Sequence, residues 1–385
     1  MRPLLPLVFL LLAACLPGAQ STTLAPVGQC RPAFEAPALN ACATGERVSL
    51  TIVGDVLLHW QLQQLGYARG FQGVWAQAAP YLANAELTIA NLEGPVAPGL
   101  TRSGAQMADP GPVYDNKVHT GYPLFNYHPR ILSDLRGAGV DLLTTANNHA
   151  MDRGARGVEL TLREMERAGI GAIGTIRANS ARSFATRRAS RLGIISFIAC
   201  TFSTNGIADP ARQVLQCYRD RGELLALVRA EAARPDVAAV IVLPHWGQEY
   251  RSEPDANQCA LARELARAGA TAIIATHPHA VQPFTTLPGP DKIVPIAYST
   301  GNFIAVQNQM PAKVGALALL ELCRARGGHG LVVEKFGWIA AQMEFSPSAY
   351  WLNIAPKGAS GPMGLAERHL NQVAPGFSAQ PQNCR

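Results

Sequence analysis

Val48-Ser49-Leu50-Thr51-Ile52-Val53, followed by Gly54-Asp55, is a short β-rich apolar run that breaks at a glycine and delivers an acid. The same form recurs down the chain. Leu87-Thr88-Ile89-Ala90 ends in Asn91-Leu92-Glu93-Gly94-Pro95, and Val140 to Thr144 leads to Ala146-Asn147-Asn148-His149. Val237 to Leu243 stops at Pro244-His245-Trp246-Gly247, and Thr271 to Ala275 ends at His277-Pro278-His279. Between these runs the period turns helical over 129–137, 157–168, 222–233 and 260–268. In the second of these, Val158, Leu162 and Met165 share one helical face and are expected in the core. Ile194 to Ala199 adds a strand, and 314–322 with 330–339 predicts a closing antiparallel pair. Strands alternating with helices predict an α/β fold with parallel pairings.

The 385 residues are 48% hydrophobic and 16% charged, which excludes a disordered chain and leaves ample length for a core. Net charge is +6, but the arginines are spread without a basic stripe or a known motif. That argues against nucleic acid as a partner and predicts a solvated basic surface.

The front end reads as an address. Met1-Arg2-Pro3 precedes an apolar run from Leu4 to Ala14, too short to span a bilayer and shaped as a secretory signal. Leu12-Ala13-Ala14-Cys15 resembles a bacterial lipobox, in which the cysteine is lipidated and becomes the mature N-terminus. The expectation is a signal peptide over 1–14 and an extracytoplasmic protein anchored to the bacterial envelope through Cys15. An ordinary signal, giving a secreted or periplasmic protein, is the alternative. Residues 15–46 read as a tether, 47–345 as the folded domain, and 346–385 as a Pro- and Gly-rich extension around one short helix. An oxidising compartment permits disulfides, with Cys30–Cys42 and Cys200–Cys217 the expected local pairs.

Position gives the polar residues their meaning. Asp55, Glu93, Asn148-His149, His245, His277 and His279 all lie just past the carboxyl end of a predicted strand, the edge where α/β sheets bind ligands. Carboxylate and imidazole without thiolate suit a divalent ion of the Mn, Fe or Zn class. Such ions activate water and clamp a phosphoryl or acyl centre. Each residue alone has a plainer reading: Asp55 as a turn residue or helix cap, His245 as a hydrogen-bonded core histidine, Asn147-Asn148 as a turn. The conjunction, in this order, is what carries the signal.

These segments, with Ala150-Met151-Asp152-Arg153-Gly154, Gln248-Glu249-Tyr250 and Tyr298-Ser299-Thr300-Gly301-Asn302-Phe303, resemble the CapA family of poly-gamma-glutamate capsule synthesis proteins over residues 48–305. The resemblance implies a calcineurin-like metallophosphoesterase sandwich, two mixed β-sheets flanked by helices. It implies one or two divalent ions held by Asp55, Glu93, Asn148, His245, His277 and His279, with Glu93 bridging. His149 would face substrate as general acid or charge stabiliser, oriented by Asp152. Asn91, Glu249 and Asn302 would line the cleft. One departure stands out. Calcineurin-like enzymes carry Asp-x-His at the first strand, and residue 57 here is Leu. His59 substitutes for that ligand if a helical turn brings it back to the same face; otherwise it is a packing residue.

The function implied is an envelope protein of capsule-polymer synthesis or processing with a metal-dependent hydrolase site, cleaving a phosphoester or an amide. Its partners would be an anionic polymer or phosphoester substrate, membrane-bound capsule synthesis proteins, and the membrane through the lipid anchor. Two alternatives remain open at this level. One is an extracytoplasmic phosphatase or nucleotidase unrelated to capsule. The other is a non-catalytic export or assembly component.

Overall fold

A computed structural model describes residues 32–327, 329–346 and 348–382. The signal segment, Cys15 and Cys30 lie outside the described residues.

Two sheets form the frame. β1 (Val48–Val56), β2 (Leu87–Leu92), β3 (Leu142–Thr144) and β4 (Gly171–Ile173) pair in parallel, in that order. The second sheet takes β5 (Ala185–Ser190), β6 (Gly193–Thr201), β7 (Val237–His245), β8 (Ala272–Ile274), β9 (Val281–Pro288) and β10 (Ile293–Thr300). Its order is β5-β6-β7-β8-β10-β9, parallel in the centre with an antiparallel strand at each edge. The chain then returns to the first sheet through β11 (Asn302–Ile304), β12 (Val314–Arg324), β13 (Leu331–Ser346) and β14 (Ala349–Asn353), which complete the order β14-β13-β12-β1-β2-β3-β4 with β11 beside β1. These are the two mixed sheets flanked by helices that the resemblance implied.

Strand alternation builds the layers, because successive side chains leave opposite faces. Leu50 and Ile52 of β1, Phe197 and Ala199 of β6, and Ile241 and Leu243 of β7 share the core between the sheets. Val53 and Val56 of β1 join the cluster on the outer face of the first sheet. Ile198 of β6, with Val240 and Val242 of β7, joins the cluster on the outer face of the second. Strands buried on both faces read as continuous apolar runs, which is why they were legible. Val158, Leu162 and Met165 of helix Gly154–Arg167 are all buried, as expected. The helix Trp60–Arg69 carries no such signal, because its buried face includes Gln63 and Gly66 beside Leu62 and Tyr67.

The sheets meet at a glycine contact. A Cβ on Gly54 would lie 1.8 Å from the Gly301 carbonyl oxygen, and Gly301 itself has φ +66°. Only glycine permits that approach, and it brings the Asp55 N–H to the Gly301 carbonyl at 3.1 Å. The carboxyl ends of both sheets thereby open onto one seam.

Three expectations need correction. Residues 32–46 do not hang free: Ala33 and Glu35 donate backbone hydrogen bonds to Ala379 and Ser378, Leu39 to Glu334, and Ala43 to Arg324. The segment adheres by isolated backbone bonds and by scattered side chains, Phe34 and Leu39 against the core and Asn40 on the Ile293 and Val333 carbonyls, so no apolar period marked it. Residues 348–382 of the expected extension are likewise part of the domain. β14 extends the first sheet, helix Leu365–Val373 follows, and Trp338 Nε1 donates to Ala374 O at 2.8 Å. Cys42 bonds to Cys323, not Cys30, because the adhering segment lays it beside the end of β12; Cys200–Cys217 forms as expected.

Candidate metal centre

Each candidate side chain sits where a parallel strand ends. Asp55 is the penultimate residue of β1, Glu93 follows β2, Asn148 and His149 follow β3, His245 closes β7, and His277 and His279 follow β8. All are buried.

The seam gathers them. Asp55 Oδ2 lies 3.2 Å from His279 Nδ1, and Glu93 Oε1 lies 3.7 Å from both His245 Nε2 and His279 Nε2. Donor atoms of Glu93, His277 and His279 fall within 4.8 Å of one another, close enough for one ion. Asn148 Oδ1 meets His245 Nε2 at 2.9 Å, and Thr276 Oγ1 meets His245 Nδ1 at the same distance. His277 and His279 take φ of +102° and +52°. Positive φ is costly for residues with a Cβ and collects at functional sites.

The donors fit a cation. Both Glu93 carboxylate oxygens and His277 Nδ1 are buried without a hydrogen-bond partner, a state costing kilocalories unless something compensates it. Burial, then the charge of Asp55, holds the Glu93 carboxyl well above its usual range. Burial lowers His245 and His277 well below theirs, with neighbouring histidines adding to the effect. His279 behaves otherwise. Burial pulls it down, but Glu93 and Asp55 outweigh that and raise it to about 9. A metal ligand must be deprotonated, so the neutral imidazoles of His245 and His277 are ready to ligate, and a divalent ion would displace the proton held by His279.

Around the cluster, Asn91 Nδ2 donates to Asp55 Oδ1 at 2.7 Å, and its Oδ1 accepts from Thr144 Oγ1 at 2.8 Å. It braces Asp55 from inside the buried cluster, with Nδ2 also 3.3 Å from His245 Nδ1. Asn302 Oδ1 lies 2.9 Å from His279 Nδ1, leaving Nε2 toward Glu93. His149 Nδ1 and Asp152 Oδ2 are 2.8 Å apart, and Phe125 N–H donates to the same Asp152 oxygen at 2.7 Å. Burial raises the Asp152 carboxyl, against the opposing pull of His149.

The first-strand departure resolves into packing plus a neighbour. Leu57 is buried among the apolar side chains outside the first sheet. His59 immediately precedes the helix Trp60–Arg69, its Nδ1 3.3 Å from the Val306 N–H. Burial, then the charge of His279, lowers it to about 4; its ring packs edge-on against Phe125 and it stands outside the three-residue cluster. Glu249 is exposed at the rim, where its charge reaches both Glu93 and His279. Sequence reading missed Thr276, Phe202 and Gln307. Phe202 packs 4.3 Å from the His277 ring, and Gln307 Oε1 accepts from Asn302 Nδ2 at 2.8 Å. None lies in a recognisable motif; only the folded seam brings them in.

Comparison with known proteins agrees with this frame. The family model for the bacterial capsule synthesis protein PGA_cap matches residues 49–307. The capsule biosynthesis protein CapA of Bacillus anthracis is 26% identical over 287 residues, covering 72% of this chain and 64% of that protein. The PGA biosynthesis protein CapA of Bacillus subtilis is 25% identical over 281 residues, covering 71% and 68%. The chain thus spans under two-thirds of the length of the anthracis relative. Among solved structures, the NAD nucleotidase of Haemophilus influenzae aligns with a TM-score of 0.42 at 11% identity, over 86% of this chain and 57% of that one. A family match over most of the folded domain, centred on the segments that build the seam, places the chain: it belongs to the bacterial capsule synthesis protein PGA_cap family.

Proposed function

We propose that this protein acts in the synthesis or processing of a capsule polymer at the bacterial envelope, as a divalent-metal hydrolase anchored through Cys15. One observation carries the hydrolase reading: Glu93 and His277 present buried donor atoms with no hydrogen-bond partner, in a cluster sized for an ion. Glu93, His277 and His279 would hold the metal, with Asp55, His245 and Asn148 available beside them. The ion, of the Mn, Fe or Zn class, would polarise the scissile centre and activate water there.

The chain's own residues supply the rest. Asp55 and Asn302 fix the His279 ring from its Nδ1 side, so Nε2 points to the cluster. Asp152 holds the His149 ring through Nδ1, which leaves Nε2 to carry a proton to a leaving group, the role of a general acid. The Phe125 N–H on the Asp152 oxygen keeps that carboxylate turned toward His149. The substrate bond is a phosphoester or an amide of an anionic polymer or its precursor.

Elemental analysis of the purified folded domain, beside its His279→Ala variant, tests the reading. One or two equivalents of Mn, Fe or Zn, lost in the variant, supports it. No bound metal after reconstitution refutes it and favours an assembly role. Incorporation of labelled fatty acid, abolished by Cys15→Ser, tests the anchor.

A further inference from the structure

Two of the three histidines around Glu93 are turned by hydrogen bonds. Thr276 Oγ1 meets His245 Nδ1 at 2.9 Å, and Asn302 Oδ1 meets His279 Nδ1 at the same distance. His277 has no such brace. Among the described residues none bonds either of its ring nitrogens, and Nδ1 is buried without a partner. Its backbone is pinned, with φ +102° and the N–H donating to Asp55 Oδ2 at 3.4 Å. A fixed backbone still leaves the imidazole free to turn about its Cβ–Cγ bond, a broad torsion. In a metal ligand that freedom is normally removed by a hydrogen bond to the second ring nitrogen.

An aromatic ring stands where that bond would be expected. Phe202 directly follows β6, and its N–H donates to His245 O at 2.8 Å, which ties it to the end of β7. Its side chain is backed by the apolar cluster outside the second sheet. Its ring centroid lies 4.3 Å from that of His277, with the planes 37° apart, the shortest ring separation among the described residues. The His245 ring adds a second neighbour at 4.7 Å. An imidazole turning through a half-circle must sweep out of its own plane, and close-packed rings at these distances obstruct that sweep.

We propose that Phe202 is a positioning residue for His277. Packed against the imidazole, it keeps the nitrogen that lies within 4.8 Å of the Glu93 and His279 donors turned toward the ion. Thr276 and Asn302 do the same for the other two rings by hydrogen bonding. The proposal rests on the metal-centre reading above. It adds a part of the site supplied by β6, a strand from which no site residue was expected.

The test strips the full chain of metal and titrates it with zinc against a chelator of known affinity. Phe202→Leu keeps an apolar side chain and removes the flat face. It is expected to bind zinc about tenfold more weakly, the lower end of the cost of losing a group that orients a ligand. Phe202→Tyr keeps the ring and should hold parental affinity. Loaded with cobalt, Phe202→Leu should show a visible band displaced from that of the parent, which loosening away from the ion would not produce. In a His277→Ala background, Phe202→Leu should cost nothing further, because it acts through that ring. Equal zinc affinity in parent and Phe202→Leu overturns the assignment and leaves the metal centre standing. So does a tenfold loss that persists in the His277→Ala background. A parent that binds no zinc removes the metal centre and the assignment with it.

Discussion

Asp55 Oδ2 and His279 Nδ1 approach to 3.2 Å across the seam where the two sheets meet. One belongs to the first strand of the first sheet, the other to the loop after β8 in the second. Their contact exists only because Gly54 and Gly301 let the backbones close. The candidate metal centre is thus a property of the sheet junction, and most tests of it are tests of that junction.

Metal uptake by the stripped protein should depend strongly on pH. His279 is raised to about 9 by the charges of Glu93 and Asp55 against the pull of burial. A bound ion must displace that proton, so apparent affinity should rise as pH climbs toward 9, with proton release on calorimetry in buffers of different ionisation enthalpy. The sign for stability is opposite. A histidine raised on folding stabilises the metal-free protein fully below its unfolded value near 6.5. That contribution fades as pH rises through about 9. Metal-free melting temperatures that climb over this window would contradict the assignment.

Asn302→Ala removes no expected metal donor from the three-residue cluster, yet takes away one of the two groups that fix the His279 ring. Metal affinity should fall about 10–100-fold, the usual cost of losing a partner that orients a ligand. Competition with a chelator of known affinity measures it.

His149→Ala should leave bound metal unchanged and lower kcat on a cleavable phosphoester by about 10²–10⁴-fold, the range for general acid–base groups. Asp152→Asn should lose less, since it disturbs the ring's orientation while the imidazole remains. The comparison is kcat at saturating substrate, with metal content measured on the same samples.

Cys42→Ser should lower stability by roughly 2–4 kcal/mol in chemical denaturation, because the bond to Cys323 closes a long loop in the unfolded chain. Trp338→Ala should cost about 3–5 kcal/mol, since it removes a fully buried ring. Its indole also carries the hydrogen bond to Ala374 that docks the C-terminal segment. Metal content at low temperature should survive both changes.

Much of the frame was legible in the chain itself. Runs such as Phe197 to Cys200 and Ala239 to Leu243 are apolar at every position because both strand faces are buried, so burial writes itself into composition. The polar residues that end these runs were legible for the same reason, since a charged side chain after a buried strand has few places to go except the ligand edge. Asp55, Glu93, His245, His277 and His279 could therefore be named from sequence as one group.

Tertiary structure decided the rest. Backbone bonds and scattered side-chain contacts carry no period, so the adhesion of residues 32–46 and the docking of 374–382 left no periodic trace. The partner of Cys42 lies at the far end of the domain and could not be read from local spacing. Whether Asn91 faces a ligand or braces Asp55 depends on the parallel register of β1 and β2, and the link from Tyr250 through Gln307 and Asn302 to His279 depends on three separate segments meeting. Sequence determined which residues end strands, because burial constrains side-chain chemistry residue by residue. The fold decided which of those ends meet, because the meeting depends on a close approach of two backbones at Gly54 and Gly301.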